Sequence, residues 1–490
     1  MPTELQPILL LTVIAAYFAI LLVISQLTSR RSDNDTFFRA NRNSHWVLVA
    51  VGMIGSSLSG VTFISIPGVV GQGGANMAFS YMQMVFGYLL GYLLIATVLM
   101  PIYYKYNLTS IYGYLENRFG NVSYKTGSGF FILSRLIGSA FRLYLVAIVL
   151  DRFVVGPLGV PFWFTVFFTL LLIWLYTNRG GIKTIIITDV FQTLGMLTAV
   201  ALTIHYIADA MSLRLYEIPE IIKQSDYSRV FFFDKAWSDP NNFFKQFISG
   251  ALIALVMTGL DQDMMQKNLT CKTLIDAQKN MGTFSVILVL SNLLFLSLGA
   301  LMYIYAQTNG IAIPEKSDYL YPTLAFQYLP PAVGIIFILG LIAAAYSSAD
   351  SALTALTTAF CVDFLDLEKK NLSERHNKSI RTIVHISFTI LSFIVIIVFH
   401  QINNDAVING LFKAAGYTYG PLLGLFAYGV LTDWKVKDKF VWVVCLLAPI
   451  LSYIIDSNST TWLGGFTFGY LNLFLNGMLT FSGLWLLKKL

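Results

Sequence analysis

Asp189 and Asp350 stand inside long apolar stretches, with hydroxyl residues beside them and no histidine pair or second thiol in reach. An ionisable side chain in such a stretch is costly, so it marks a functional site by default. In AAAYSSADSALTALTT (343–358), Ser347, Ser348, Asp350, Ser351 and Thr354 include i, i+3, i+4 and i+7 spacings, so most share one helical face. Hydroxyls plus a carboxylate form a hard oxygen set, suited to an alkali cation or a proton rather than to zinc or copper. The competing reading is a hydrogen-bond ladder between helices. GSSLSGVTFISIPG (55–68) places Ser56, Ser57, Ser59, Thr62 and Ser65 among three glycines and a proline. Unwound backbone is tolerated in a membrane only where protein or a cavity covers it, and its freed carbonyls can then bind a cation. Small-residue helix packing is the alternative. A second interruption, TGLDQDMMQKNLT (258–270), carries Gly259, Asp261, Gln262, Asp263 and Gln266. Its aspartates either belong to a central site or cap a helix end.

Arg135 and Arg142 lie seven residues apart in SRLIGSAFRLYLVA, on nearly one face and roughly 10 Å apart along the axis. A buried guanidinium offers a planar fork to a carboxylate or phosphate. It serves either an anionic solute or an internal ion pair with Asp189 or Asp350. Lys413 is read as reaching for the membrane interface, and His205, His385 and His400 as lone core or interfacial residues. There is no GxxxxGK[ST], HExxH or GxSxG sequence, which lowers the case for an ATP-driven pump or a membrane hydrolase. No cofactor is expected.

These groups need a scaffold, and composition names it. The 490 residues are 56% apolar and 12% charged, far from the roughly 25% charge of soluble domains. Apolar runs long enough to cross a bilayer appear at about 5–29, 45–74, 78–104, 126–155, 158–177, 185–211, 243–270, 278–308, 331–365, 378–400, 406–432, 438–456 and 465–487. That predicts an all-α polytopic membrane protein of thirteen spans, numbered here 0 to 12, in one transmembrane domain covering 1–490. Placing the N-terminus outside puts 22 of the 32 Lys and Arg in inner segments, from Arg30 and Arg31 to Lys488 and Lys489, with Lys267 among them. The C-terminus is then cytoplasmic. The net charge of +6 reflects this asymmetry rather than nucleic-acid binding. Cys271, Cys361 and Cys445 are far apart and read as small core residues.

Six segments in order resemble the sodium/solute symporter family, cotransporters of sugars, proline, iodide, vitamins and sialic acids: GSSLSGVTFISIPG, TSIYGYLENRFG (109–120), GGIKTIIITDVFQ (180–192), DQDMMQKNLT (261–270), AAAYSSADSAL (343–353) and GPLLGLF (420–426). The resemblance implies a LeuT-type 5+5 inverted repeat over about 45–432, with an extra helix before it and two after it at about 438–487. It implies a principal sodium site where spans 1 and 8 cross, made by the carbonyls of Gly55, Leu58 and Ala344 and the hydroxyls of Ser347 and Ser348. It also implies a second cation site at Asp189 with Ser347, Asp350 and Ser351, although Asp350 stands where a hydroxyl residue is more usual. Solute contacts are implied at Ser59, Thr62, Phe79, Gln83, Thr258 and Asp261, and the sialic-acid members place a span 3 arginine on the carboxylate, here Arg135 or Arg142.

The resulting expectation is sodium-coupled import of a small organic solute by alternating access, in a cell (inner) membrane. The expected partners are the solute, Na⁺ and the lipid bilayer, with no nucleic acid and no obligate protein partner. A proton-coupled permease on the same scaffold remains open, with Asp189 or Asp350 as carrier. So does a non-pumping solute receptor or anion channel.

Overall fold

The structure is a computed structural model that describes residues 7–28, 42–71, 76–235, 237–367, 370, 373–402 and 407–489, side chains at 28, 176, 178–181 and 183 excepted. Arg30, Arg31, Arg39 and Lys369, counted above as inner charges, lie outside the described residues. No β-strand occurs among the described residues. The principal helices are α1 (Pro7–Thr28), α2 (Trp46–Ser57), α3 (Gly60–Val69), α4 (Tyr81–Leu94), α5 (Gly113–Arg118), α6 (Asn121–Leu150), α7 (Phe162–Ala210), α8 (Ile218–Gln224) and α9 (Phe243–Ala254). They continue with α10 (Gln262–Asn268), α11 (Leu274–Thr308), α12 (Pro331–Ala359), α13 (Glu374–Ile402), α14 (Val407–Thr418), α15 (Gly420–Leu431), α16 (Val441–Trp462) and α17 (Asn472–Leu486). Helices are what an apolar medium selects, because each satisfies its backbone polar groups internally. α1, α13 and α16 turn bulky side chains such as Ile8, Ile383, Ile390, Trp442 and Ile450 outward, a surface that suits lipid.

Among the described residues eight helical stretches are long and apolar enough to cross a membrane, and ten if each of two bent pairs is one span. The chain is therefore a polytopic membrane protein, but length and apolarity do not reach the expected thirteen. The shortfall has a local cause. The run 406–432 is two 12-residue helices, α14 and α15, that meet at Tyr419, and α17 has only 15 residues. Spans 4 and 5 also differ from expectation, since helix runs unbroken through the polar link near 178–184 as α7. Its 49 residues would measure about 74 Å if straight, more than twice a hydrocarbon core of about 30 Å.

Both expected interruptions are present. α2 and α3 meet at 58° across Leu58 and Ser59, whose backbones are extended. The stretch Phe243–Gly259, which ends in a π-turn, meets α10 at 68° across Leu260 and Asp261. α12 runs through the centre, buried almost continuously from Phe337 to Ala359. It packs against α2, α3, α6, α7 and α10, so a polar face on α12 meets both broken helices. α4 and α9 close together through glycines, because a Cβ on Gly250 would stand 2.1 Å from the Met84 carbonyl oxygen.

Candidate ion and solute site

The break after Ser57 creates the first half of the site. A helix C-terminus leaves carbonyls without intrahelical partners and carries the negative end of the helix dipole. At α2 the Leu58 N–H still donates to the Ile54 carbonyl at 2.7 Å, so carbonyls from Gly55 onward are the ones freed. The fit to α12 requires glycine at 55: a Cβ there would lie 2.9 Å from Ser347 Oγ and 2.4 Å from Thr193 Oγ1. Gly55 and Ser347 are thus brought together as expected, and Leu58 and Ala344 are buried nearby on the same two elements. Ser347 and Ser348 then diverge by the 100° step of a helix. Ser347 donates to Asp189 Oδ1 on α7 at 2.5 Å. Ser348 Oγ accepts from Arg142 Nη1 on α6 at 3.2 Å, and the same nitrogen reaches the Ser56 carbonyl at 3.4 Å.

Asp189 anchors a second cluster. Its Oδ2 accepts from Ser56 Oγ at 3.0 Å and from the Lys267 ammonium at 2.6 Å. Lys267 also donates to Ser351 Oγ at 2.7 Å and to Ser56 Oγ. The sequence reading set Lys267 among inner-loop charges, and this is corrected: it is fully buried on α10 and ion-paired with Asp189. The bend before α10 carries it there. Asp350, equally buried, lies within electrostatic reach of Tyr17 on α1.

The two arginines part company. Arg135 pairs with Asp263 and, at 3.6 Å, with Asp261. The expected partners had been Asp189 or Asp350, so the internal ion pair exists with other carboxylates. Asp261 also accepts from Tyr419 at 2.6 Å and caps α10 through the Asp263 N–H at 2.9 Å. Arg142, by contrast, forms no ion pair among the described residues, and its guanidinium borders a cavity of about 80 Å³. Ser59, Thr62, Tyr81, Arg135 and Thr258 line the same cavity. Its volume is well below the roughly 300 Å³ of an ordinary small-molecule site. Asp261 is engaged by the network beneath rather than lining the cavity.

Two expected solute contacts sit elsewhere. Gln83 spans the base of the 227–242 segment, accepting from the Phe232 N–H at 3.0 Å and donating to the Asn241 carbonyl at 2.8 Å. Phe79 joins the same segment by its backbone, donating to the Arg229 carbonyl at 3.0 Å. Neither lines the cavity. Lys267 and Tyr419 were missed as site residues, and Ser56 and Asp263 were singled out by sequence without a ligand or partner assigned to them. For Lys267 a signal existed, since the apolar run 243–270 already enclosed it. Among the described residues no group of three or more His, Cys, Asp or Glu is placed to hold a metal ion, so the cation-binding capacity rests on hydroxyls, carbonyls and single carboxylates.

A family model described as "Sodium:solute symporter family" matches residues 37–435. The sodium/sialic acid symporter NanT of Aliivibrio fischeri is 24% identical over 459 residues, covering 89% of this chain and 86% of the relative. The sodium/sialic acid symporter SiaT of Proteus mirabilis is 26% identical, covering 85% and 84%. The human sodium/iodide cotransporter is 26% identical, covering 82% of this chain and 61% of the relative. Among solved structures, a substrate-bound, outward-open Na⁺-coupled sialic acid symporter superposes with a TM-score of 0.81 at 21% identity, covering 98% of both chains. At that identity the likeness establishes the fold.

Proposed function

The chain belongs to the sodium:solute symporter family, and from that premise we propose that its solute is a small molecule bearing a carboxylate, taken up with Na⁺ by alternating access. A sodium-coupled symporter moves its solute without chemical change, so the chain is a transporter and not an enzyme. The carboxylate is our reading, and one observation carries it. Arg142 is a buried guanidinium that faces the cavity with only neutral oxygens as partners. Such a charge is costly unless an anion compensates it, and its planar fork matches a carboxylate. The relatives whose names specify sialic acid or monocarboxylates support this reading.

In this mechanism Na⁺ takes the principal site among Gly55, Leu58, Ala344, Ser347 and Ser348 and holds α2 against α12. A carboxylate that engages Arg142 draws it off the Ser56 carbonyl and Ser348 Oγ, so solute and ion favour each other's binding, and the coupling is reciprocal. Ser59, Thr62 and Thr258 supply neutral polar contacts to the rest of the solute. The finer architecture belongs to the same proposal: thirteen spans, a 5+5 inverted repeat over about 45–432, the N-terminus outside and the C-terminus inside a bacterial-type inner membrane. The two interrupted helices support the repeat, since they lie five spans apart in opposed halves.

The test is thermal stability of the purified protein in sodium against potassium buffer, with monocarboxylates, sialic acids, neutral sugars and amino acids. Ligand binding to the folded state raises stability by mass action. A carboxylate that stabilises only in sodium, and loses at least about thirtyfold in affinity in Arg142→Gln, is the expected result. Stabilisation by a neutral sugar with Arg142→Gln unaffected would overturn the carboxylate reading.

A further inference from the structure

We propose that the second cation of this transporter is the Lys267 ammonium itself, a tethered ion that fills the oxygen set around Asp189 and leaves the chain to bind one Na⁺ instead of two. The inference rests on the sodium-coupled reading and goes beyond it by fixing the stoichiometry through a residue of this chain.

The geometry is that of an occupied ion site. An ammonium has three donors and no acceptor. Lys267 places them on Asp189 Oδ2 at 2.6 Å, Ser351 Oγ at 2.7 Å and Ser56 Oγ. Those oxygens come from three elements, α7, α12 and the end of α2, and the lysine arrives from a fourth, α10. The cluster is closed by Ser56 Oγ and Ser351 Oγ, 3.3 Å apart, and by Ser347, which takes the other Asp189 oxygen. One carboxylate and several hydroxyls form the hard donor set that an alkali cation needs. Here the lysine draws on the Asp189 carboxylate and the Ser351 hydroxyl that such an ion would need. An ammonium and a sodium ion cannot share that pocket, since like charges at contact distance disfavour each other. Lys267 is fully buried, away from bulk solvent. It sits one bend away from the cavity and joins both broken helices to α7 and α12, the same union that a bound second ion would make.

The experiment counts sodium ions on the full-length purified protein by equilibrium ²²Na⁺ binding, with the melting temperature followed against sodium concentration. The wild type is expected to bind one Na⁺ with a Hill coefficient near 1. Lys267→Ala, purified in sodium so that an entering ion replaces the lost charge, is expected to bind one ion more, with a Hill coefficient approaching 2 and a steeper rise of melting temperature with sodium. Lys267→Ala combined with Asp189→Asn removes the carboxylate too and should return the count to that of the wild type. Two ions on the wild type overturn the proposal, whether or not any variant folds. So does a folded Lys267→Ala that gains none. A wild-type count of zero sinks the sodium reading alone, because a gain of one in Lys267→Ala still identifies the lysine as the resident cation.

Discussion

Ser348 carries two roles on one oxygen, as a proposed sodium ligand and as the acceptor of the Arg142 hydrogen bond. Ser348→Ala is isosteric except for that oxygen, so the helix should keep its packing. We expect sodium-dependent stabilisation to fall at least tenfold in apparent affinity, while in potassium the protein stays folded with a modestly lower melting temperature, because Arg142 loses one of its acceptors. Unchanged sodium affinity would remove Ser348 from the site. Arg135 predicts differently, because its charge is already satisfied by Asp261 and Asp263. Breaking a buried pair by removing one partner costs about 3–5 kcal/mol. Arg135→Ala should therefore lower the melting temperature with or without ligand, whereas Arg142→Gln should act mainly through solute. Reversal of that pattern, read by thermal melts, would exchange the two roles. The residue types were legible in the sequence, since a hydroxyl face with a carboxylate and two arginines in one span announce ion and anion chemistry. Their pairing was not. Arg135 meets Asp263 across 128 residues, and only the bend at Leu260 and Asp261 decides that Lys267 points into the protein rather than toward water.

Between α2, α7 and α12 the backbones approach closely enough that Gly55 has no room for a side chain. A Cβ there would lie 2.4 Å from Thr193 Oγ1 and 3.1 Å from the Asp189 carbonyl oxygen. The hydroxyl can turn away, but the carbonyl belongs to a helix and resists. Gly55→Ala is expected to push α2 off α7 and α12, lowering the melting temperature by several degrees and weakening sodium binding. Gly195, also helical, has nothing within 4 Å of its Cβ position. Gly195→Ala should thus be neutral or stabilise by up to about 1 kcal/mol. Equal effects at the two positions, measured by thermal melts, would mean that glycine at 55 serves flexibility rather than close approach. This contrast also shows which elements the sequence could locate. The breaks at Leu58 and Leu260 were visible because glycine and polar side chains gather there, at depths where a lipid-facing helix has no use for them. The link near 178–184 misled for the same reason: its glycines and charges read as a loop, yet local composition does not forbid the helix that runs through it. Helices of 12 to 15 residues such as α14, α15 and α17 fall below a count based on length, because an apolar run in sequence does not say whether one helix or two will form in it.

For the whole molecule, the charge carried per cycle decides how far the solute can be concentrated. One Na⁺ falling through about 100 mV yields roughly 2.3 kcal/mol. A tenfold sodium gradient adds about 1.4 kcal/mol, and together they support roughly 500-fold accumulation of a neutral solute. A monocarboxylate changes this result. Moving with one Na⁺ it carries no net charge, so the potential does no work and a tenfold sodium gradient sustains only about tenfold accumulation. Two sodium ions would restore one net positive charge and raise the limit to about 5,000-fold. On that proposal Lys267 sets the driving force: its ammonium, paired with Asp189, is tethered and returns with the empty carrier, contributing no charge over a full cycle. In proteoliposomes with a potential clamped by potassium and valinomycin, uptake of a monocarboxylate by the wild type is expected to reach the same plateau at every potential and to generate no current. Lys267→Ala, if it takes a second Na⁺, should become electrogenic, with a plateau that rises when the interior is made negative. An inward current accompanying wild-type uptake would show that more than one sodium ion moves with each carboxylate and that the tethered charge does not stand in for the second.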